Sequence, residues 1–258
     1  MIKNKIGLVL SGGGIKGVAH IGAIKALEEH GISPYYISGT SAGAIIGAFY
    51  AYGYTPKKIL SFFKKLSLFS ISRYAFRKPG LINTDKFYDD FKVYFPEDDF
   101  RVLKKKLFVT TVNILNGELT IFEQNELIKP FLASAAYPGL FSPVEINNEV
   151  YADGGILDNF PLTPLIEYCN HIIGVHTSPL TIIDNHKLKH SYNVLDRAIK
   201  INFSKSSLDK FNKCDILIIP KELDKFGLFD KNNINEIYNI GYSETKKKLK
   251  EHEQIVSI

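Results

Sequence analysis

Two glycine-rich turns, each set between a strand-like run and a helix-period segment, constrain this chain more than any other feature. Ile6–Leu10 is an apolar run of strand length, and Ser11-Gly-Gly-Gly-Ile-Lys-Gly17 follows it at once. From about Ile15 to His30 the apolar positions Val18, Ile21, Ala23, Ile24 and Leu27 approximate the helical period, with Gly31 where a C-terminal cap belongs. A shorter strand, Tyr35–Ile37, ends in Gly39-Thr-Ser-Ala-Gly43, and a helix of small residues comes next. Strand, turn and helix in alternation predict an α/β fold, with a mostly parallel central sheet sandwiched by helices.

The same grammar continues downstream. Leu107–Thr111 and Leu119–Phe122 flank Asn116-Gly117, a tight-turn pair that predicts a hairpin. Ile172–Val175 and Asp215–Ile219 read as two more buried strands. A closing helix runs from about Ile234 to His252, with Ile234, Ile237, Tyr238, Tyr242 and Leu249 on one side and Lys246–Lys248 as a solvated face. No repeat or low-complexity linker interrupts the pattern, so residues 1–258 are expected to form a single domain.

Composition narrows function by exclusion. A net charge of +5 suits an anionic membrane surface but is too small to argue for nucleic acid, and no nucleic-acid motif accompanies it. Cys169 and Cys214, without CxxC or ligand-spaced histidines, read as free thiols in a reducing compartment. The seven histidines and the acids form no compact cluster, so no metal or other cofactor is expected. Met1-Ile-Lys-Asn-Lys leads straight into a strand-like run, without the apolar stretch of a signal peptide. The longest nearly uncharged apolar stretch, Ala44 to Tyr54, falls short of the roughly 20 residues of a membrane span. The expectation is a cytoplasmic protein.

Three motifs carry chemistry. In the first turn Gly12, Gly14 and Gly17 fit GxGxxG, leaving backbone N–H groups at a helix N-terminus for an anion: a dinucleotide pyrophosphate or an acyl-transfer oxyanion. Glycines that merely let a helix pack closely on a strand would look the same. The second turn, with Gly39, Ser41 and Gly43, fits GxSxG, either a nucleophile elbow or an ordinary helix cap. The third is Asp153 before Gly154 and Gly155, where an aspartate can reach across a crevice or simply make a turn. The second strand ends without the acid that would hold ribose hydroxyls, which demotes the dinucleotide-binding oxidoreductase.

Together these residues resemble the patatin-like phospholipase family, marked by a glycine-rich oxyanion turn, a GxSxG serine and a distal DGG or DGA aspartate in that order. Ala133–Val144 also resembles the family's stretch before the aspartate, and the resemblance covers roughly residues 6 to 165. It implies the family's three-layer α/β/α fold and a serine hydrolase of lipid acyl esters, of phospholipase A or lysophospholipase type. It further implies a Ser41–Asp153 dyad, an oxyanion hole among Gly12, Gly13 and Gly14, and supporting roles for Lys16, Gly17, Gly39, Gly43, Gly154 and Gly155. Lys16 stands where many relatives carry arginine, which replaces a planar fork of donors by one ammonium.

Rival readings remain in view. His176, at the end of Ile172–His176, would complete a Ser–Asp–His triad, while His20 reads as a packing residue. Asp85 reads as a helix start and Asp158 as serving the turn before Pro161. In residues 57–78, Ile59, Leu60, Phe62, Phe63, Leu66 and Phe69 form an apolar face, with Lys57, Lys58, Lys64, Lys65, Arg73, Arg77 and Lys78 around it. That face would pack on the core, contact a membrane peripherally or cover an acyl groove. A non-catalytic lipid-binding protein of the same fold is the alternative to an enzyme.

Overall fold

Leu8 and Leu10 point to one side of the first strand and Val9 to the other, and this period-two alternation sorts the core. The computed structural model describes residues 5–66, 73–75, 79–227 and 230–252. Its strands are β1 (Ile6–Leu10), β2 (Tyr36–Thr40), β3 (Lys106–Asn113), β4 (Glu118–Phe122), β5 (Val144–Ile146), β6 (Glu149–Asp153), β7 (His171–Val175) and β8 (Ile216–Ile218). Among the described residues they form one sheet in the order β5-β6-β3-β2-β1-β7-β8, with β4 also paired to β3. From β8 to β3 the strands are parallel; β4, β5 and β6 join antiparallel.

The larger core lies on the Leu8 face. Ile37, Leu107, Val109, Ile173 and Val175 join Leu8 and Leu10 beneath α1 (Val18–Glu29), α2 (Ala42–Tyr52), α3 (Pro56–Lys65), α4 (Tyr88–Lys92) and α5 (Ile128–Ser134). On the other face Val9, Phe108 and Ile172 pack against Phe160, Leu162 and Leu165, around the short 3-10 turn Thr163–Leu165. The mostly parallel sheet, flanked by helices, is the three-layer α/β/α arrangement. Two further helices are α6 (Ser191–Leu208) and α7 (Ile234–Glu251), and α7 packs along α1. Their axes approach closely, because a Cβ on Gly22 would run into the Tyr238 carbonyl and one on Gly241 into the Ala19 carbonyl. Gly22→Ala and Gly241→Ala should therefore each destabilise by about 1–3 kcal/mol, read as a lower urea midpoint at unchanged slope. An unchanged midpoint would mean that the helices slide apart freely.

Several boundaries differ from the sequence reading. Gly14–Gly17 is a 3-10 turn and α1 starts only at Val18, since the glycines follow the turn rather than the helix. β2 extends to Thr40, held by pairing to β3 from Tyr36↔Lys106 to Thr40↔Thr110. The strand that ends in Asp153 is one arm of a β5–β6 hairpin turning at Asn147 and Asn148, whose φ angles are 53° and 65°. α3 is capped by Thr55, whose hydroxyl accepts from the Lys58 N–H, and by Pro56 in the first turn. Its apolar face turns inward: Ile59, Phe62 and Phe63 are buried, and Phe62 packs on Phe49, Phe91 and Tyr94. Over the described part of residues 57–78 this face packs on the core, with Phe63 and Leu66 also bordering a cavity; Phe69, Arg77 and Lys78 lie outside the described residues.

Candidate functional site

The register of β3 explains why two distant motifs meet. β4 pairs with Val109–Asn113 on one edge, so β2 and β6 must share the other. There β2 ends at Thr40 opposite Thr110, and the antiparallel β6 ends at Asp153 opposite Thr111. Two chain segments arrive head to head along one edge of one strand, bringing Ser41 to Asp153. At the junction the Ser134 hydroxyl donates to the Thr110 carbonyl (2.6 Å) and accepts the Ser41 N–H (2.8 Å). A side chain on Gly154 would fill the same gap, meeting the Thr110 carbonyl.

Ser41 has φ 55° and ψ −124°, a conformation that costs a non-glycine residue about 1–3 kcal/mol. Its surroundings enforce it. A Cβ on Gly43 would strike the Leu10 carbonyl, and one on Gly39 would lie 2.7 Å from the Ala44 nitrogen. The elbow is thus clamped between β1 and the first turn of α2, whose Ala44 and Ile45 N–H groups both donate to the Ser41 carbonyl. Gly17 sits equally close to Ala42, which seats the first turn beside the second.

Asp153 is buried; one carboxylate oxygen, Oδ1, accepts the Gly155 N–H at 2.8 Å. The other, Oδ2, has no hydrogen-bond partner among the described residues. Burial pushes the carboxyl up to about 7, against the hydrogen bond from Gly155 and the adjacent Ser41 side chain, which favour the charged form. Gly155 itself abuts the Phe203 ring.

The glycine turn departs from the expectation at one position. The Gly12 N–H donates to the Asn159 carbonyl at 3.2 Å, so it is not available to a ligand. Among the described residues no acceptor faces the N–H groups of Gly13 and Gly14, and both glycines line the cavity beside Ser41. The Gly12 carbonyl accepts from the hydroxyls of Ser11 (3.0 Å), Ser178 (3.2 Å) and Thr177 (3.4 Å). In a trans peptide these contacts also set the direction of the Gly13 N–H. His20 steadies the preceding peptide, its Nε2–H donating to the Ser11 carbonyl at 2.8 Å, and burial lowers its pKa to about 4. A Cβ on Gly12 would run into the Asn159 Oδ1 and lie 3.3 Å from the Ser41 Cβ, so the first turn packs directly on the elbow.

His176 is packed edge-on against Phe160 and Phe211 and makes no hydrogen bond to Ser41 or Asp153 among the described residues. Burial lowers its pKa to about 4, which leaves it a neutral packing group. Asp158 accepts the Phe160 N–H and pairs with Lys210 at 2.5 Å, tying the turn before Pro161 to the chain beyond α6. At residues 83–87 the cap is Asn83, whose side chain accepts the Asp85 N–H; Asp85 follows in the first turn.

Ser41 and Asp153 open onto a cavity of about 550 Å³, within the range of small-molecule sites. One wall is apolar, from Ile45, Phe63, Phe87, Phe91, Leu132 and Phe141. Elsewhere the lining is rich in cations: Lys16, Lys187, Arg197, Lys200, Lys225 and Lys231. Lys16 is buried, and that burial, with Lys200 nearby, lowers its pKa to about 8. Among the described residues no group of His, Cys, Asp and Glu side chains is arranged to hold a metal ion. Ser134, Asn159, Thr177 and Ser178 were invisible as site residues in the sequence, for isolated hydroxyls and amides carry no motif.

Relatives share this core. Lysophospholipase NTE1 of Candida albicans is 34% identical over 180 residues, which cover 66% of this chain and 13% of that protein. The same-named protein of Scheffersomyces stipitis is 28% identical over 94% of this chain and 18% of its own length. An uncharacterised NTE family protein of Mycobacterium bovis is 30% identical over 62% of this chain and 45% of its own. The chain thus spans less than half the length of each of these relatives. Among solved structures, VipD from Legionella pneumophila shares the fold, with a TM-score of 0.64 and 19% identity over 96% of this chain and 67% of that one. The patatin-like phospholipase family model matches residues 8–166, more than half of the chain and spanning both turns and Asp153, so the chain belongs to the patatin-like phospholipase family.

Proposed function

We propose that this chain hydrolyses acyl esters of lipids, as a phospholipase A or lysophospholipase, through a Ser41–Asp153 dyad. The observation that carries the reading is the strained Ser41 beside a buried carboxyl with one unpartnered oxygen, both on a largely apolar cavity. Ser41 Oγ attacks the ester carbonyl as its proton passes to Asp153, and the carbonyl electrons move onto an oxyanion held by the Gly13 and Gly14 N–H groups. Collapse expels the alcohol, which takes the proton from Asp153. Water then attacks the acyl-serine as its proton passes to Asp153, and collapse releases the fatty acid as that proton returns from Asp153 to Ser41 Oγ. The apolar wall suits an acyl chain and the cationic lining an anionic headgroup.

The test is labelling by a long-chain fluorophosphonate, followed by mass spectrometry, and release of fatty acid from lysophosphatidylcholine. The reading expects one phosphonyl adduct, on Ser41, and turnover. A chain that binds the lipid but neither labels nor turns over is the non-catalytic lipid binder instead. Because Thr177 and Ser178 hold the Gly12 carbonyl, Thr177→Val with Ser178→Ala should lower kcat by about tenfold or more at little change in KM. Equal kcat would remove these hydroxyls from oxyanion alignment.

A further inference from the structure

Helix α6 is inside out. Asn193, Asp196, Arg197, Lys200 and Phe203 line the cavity, with Lys200 paired to Asp196 at 2.6 Å and Arg197 donating to the Thr181 carbonyl at 2.6 Å. The face turned to solvent carries Val194, Leu195, Ile201 and Leu208, exposed by 52%, 56%, 38% and 56%. On an ordinary surface helix the apolar stripe faces the core and the charges face water. Here Val194, Leu195, Ile201 and Leu208 face water over about 20 Å of helix, with Asn202 and Lys205 among them, while charged residues turn toward the cavity beside the buried Phe203. The loop that Arg197 ties to α6 adds Ile182, 101% exposed, and Leu180, 39% exposed at the cavity's rim. A stripe of this kind, joined by loop leucine and isoleucine, marks a surface made to be covered.

We propose that this face of α6, with Leu180 and Ile182, is where the protein docks on a lipid bilayer carrying anionic headgroups. The proposal rests on the lipid-ester reading and specifies the physical form in which substrate is met. Two observations favour a bilayer over a second protein. The helix that presents the apolar stripe forms the cavity wall with its other face, so a lipid leaving the bilayer there has only one helix to pass. Lys189, exposed just before α6, and Lys205, exposed on the stripe itself one turn after Ile201, offer cations to the headgroups. An amphipathic helix with this division of faces sinks its apolar side about 5–10 Å into the headgroup boundary.

The experiment is flotation of the full chain with vesicles of phosphatidylcholine mixed with phosphatidylglycerol, and of phosphatidylcholine alone. The variants are V194S/L195S/I201S and K189E/K205E, with hydrolysis of soluble p-nitrophenyl butyrate and circular dichroism measured alongside. The triple variant should lose at least about tenfold in vesicle association while keeping the wild-type kcat/KM on the soluble ester. The charge variant should lose binding chiefly to the anionic vesicles. Vesicle binding by the triple variant equal to wild type overturns the proposal, as does a wild type that floats with neither vesicle. If sedimentation velocity shows a wild-type dimer that the triple variant abolishes, with vesicle binding unchanged, the face joins copies of this chain and the proposal is wrong. Ser41→Ala should float like the wild type. A wild type that floats but hydrolyses no ester would sink the hydrolase reading and leave the docking surface standing.

Discussion

Ser41→Ala and Asp153→Asn should each lower kcat/KM for p-nitrophenyl butyrate by about 10³-fold or more, while His176→Gln stays close to wild type. The geometry makes this demand on each side chain separately. In the proposed dyad Ser41 supplies the nucleophile from a conformation held by the packing around Gly39 and Gly43. Asparagine at 153 keeps an oxygen to accept the Gly155 N–H but replaces the unpartnered oxygen with an NH₂ that cannot take a proton. The double variant should be no worse than either single one, because a nucleophile and its base act as a unit. His176 is enclosed by Phe160 and Phe211, so its loss is one of packing. Burst-phase and steady-state assays on folded variants decide it; a His176→Gln enzyme as dead as Ser41→Ala would restore the triad.

Asp153→Asn should at the same time stabilise the fold, by as much as about 4 kcal/mol at pH 8 and not at all below about pH 4. The sign follows from the carboxyl's pKa, about 7 when folded against an ordinary 3.8. Between those values the folded state binds more protons than the unfolded one, so wild-type stability falls as pH rises through the window. Above pH 7 both states are ionised and the whole penalty of a buried carboxylate is present. Asparagine carries no such penalty. His20 and His176, whose pKa values burial lowers to about 4, work in the opposite direction and cancel in the difference between the two proteins. Urea unfolding at pH 4.5, 6 and 8 measures it. In the proposed mechanism the same group sets the activity profile, so kcat/KM should climb with pH through about 7 as Asp153 ionises. A stability difference independent of pH would mean that Asp153 is not held as an uncompensated acid.

On the proposed mechanism activity and stability pull apart at Asp153, as expected where a base is both buried and unpaired. The strain at Ser41 belongs to the same trade. The close approach of Gly43 to the Leu10 carbonyl and of Gly39 to Ala44 shows how the fold sustains it.

Local chemistry made part of this protein legible in its sequence. The apolar run Ile6–Leu10, the helix-period positions from Val18 to Leu27 and the two glycine turns need only near neighbours to take shape, and they declared the α/β plan. Gly39, Ser41, Gly43 and Asp153 were readable because the steric demands on an elbow and on a DGG turn are themselves local. Other features depend on what arrives from far along the chain. The Gly12 N–H is lost as a donor because Asn159 presents its carbonyl there. Ser134 matters because β2 and β6 stop against each other on one edge of β3 and leave the Thr110 carbonyl to be met. The apolar face of α3 turns inward, while Val194, Leu195, Ile201 and Leu208 of α6 face outward and only Phe203 is buried among that helix's described large apolar side chains. Periodicity says that a helix has an apolar side; only the neighbours it packs against, or lacks, determine where that side points.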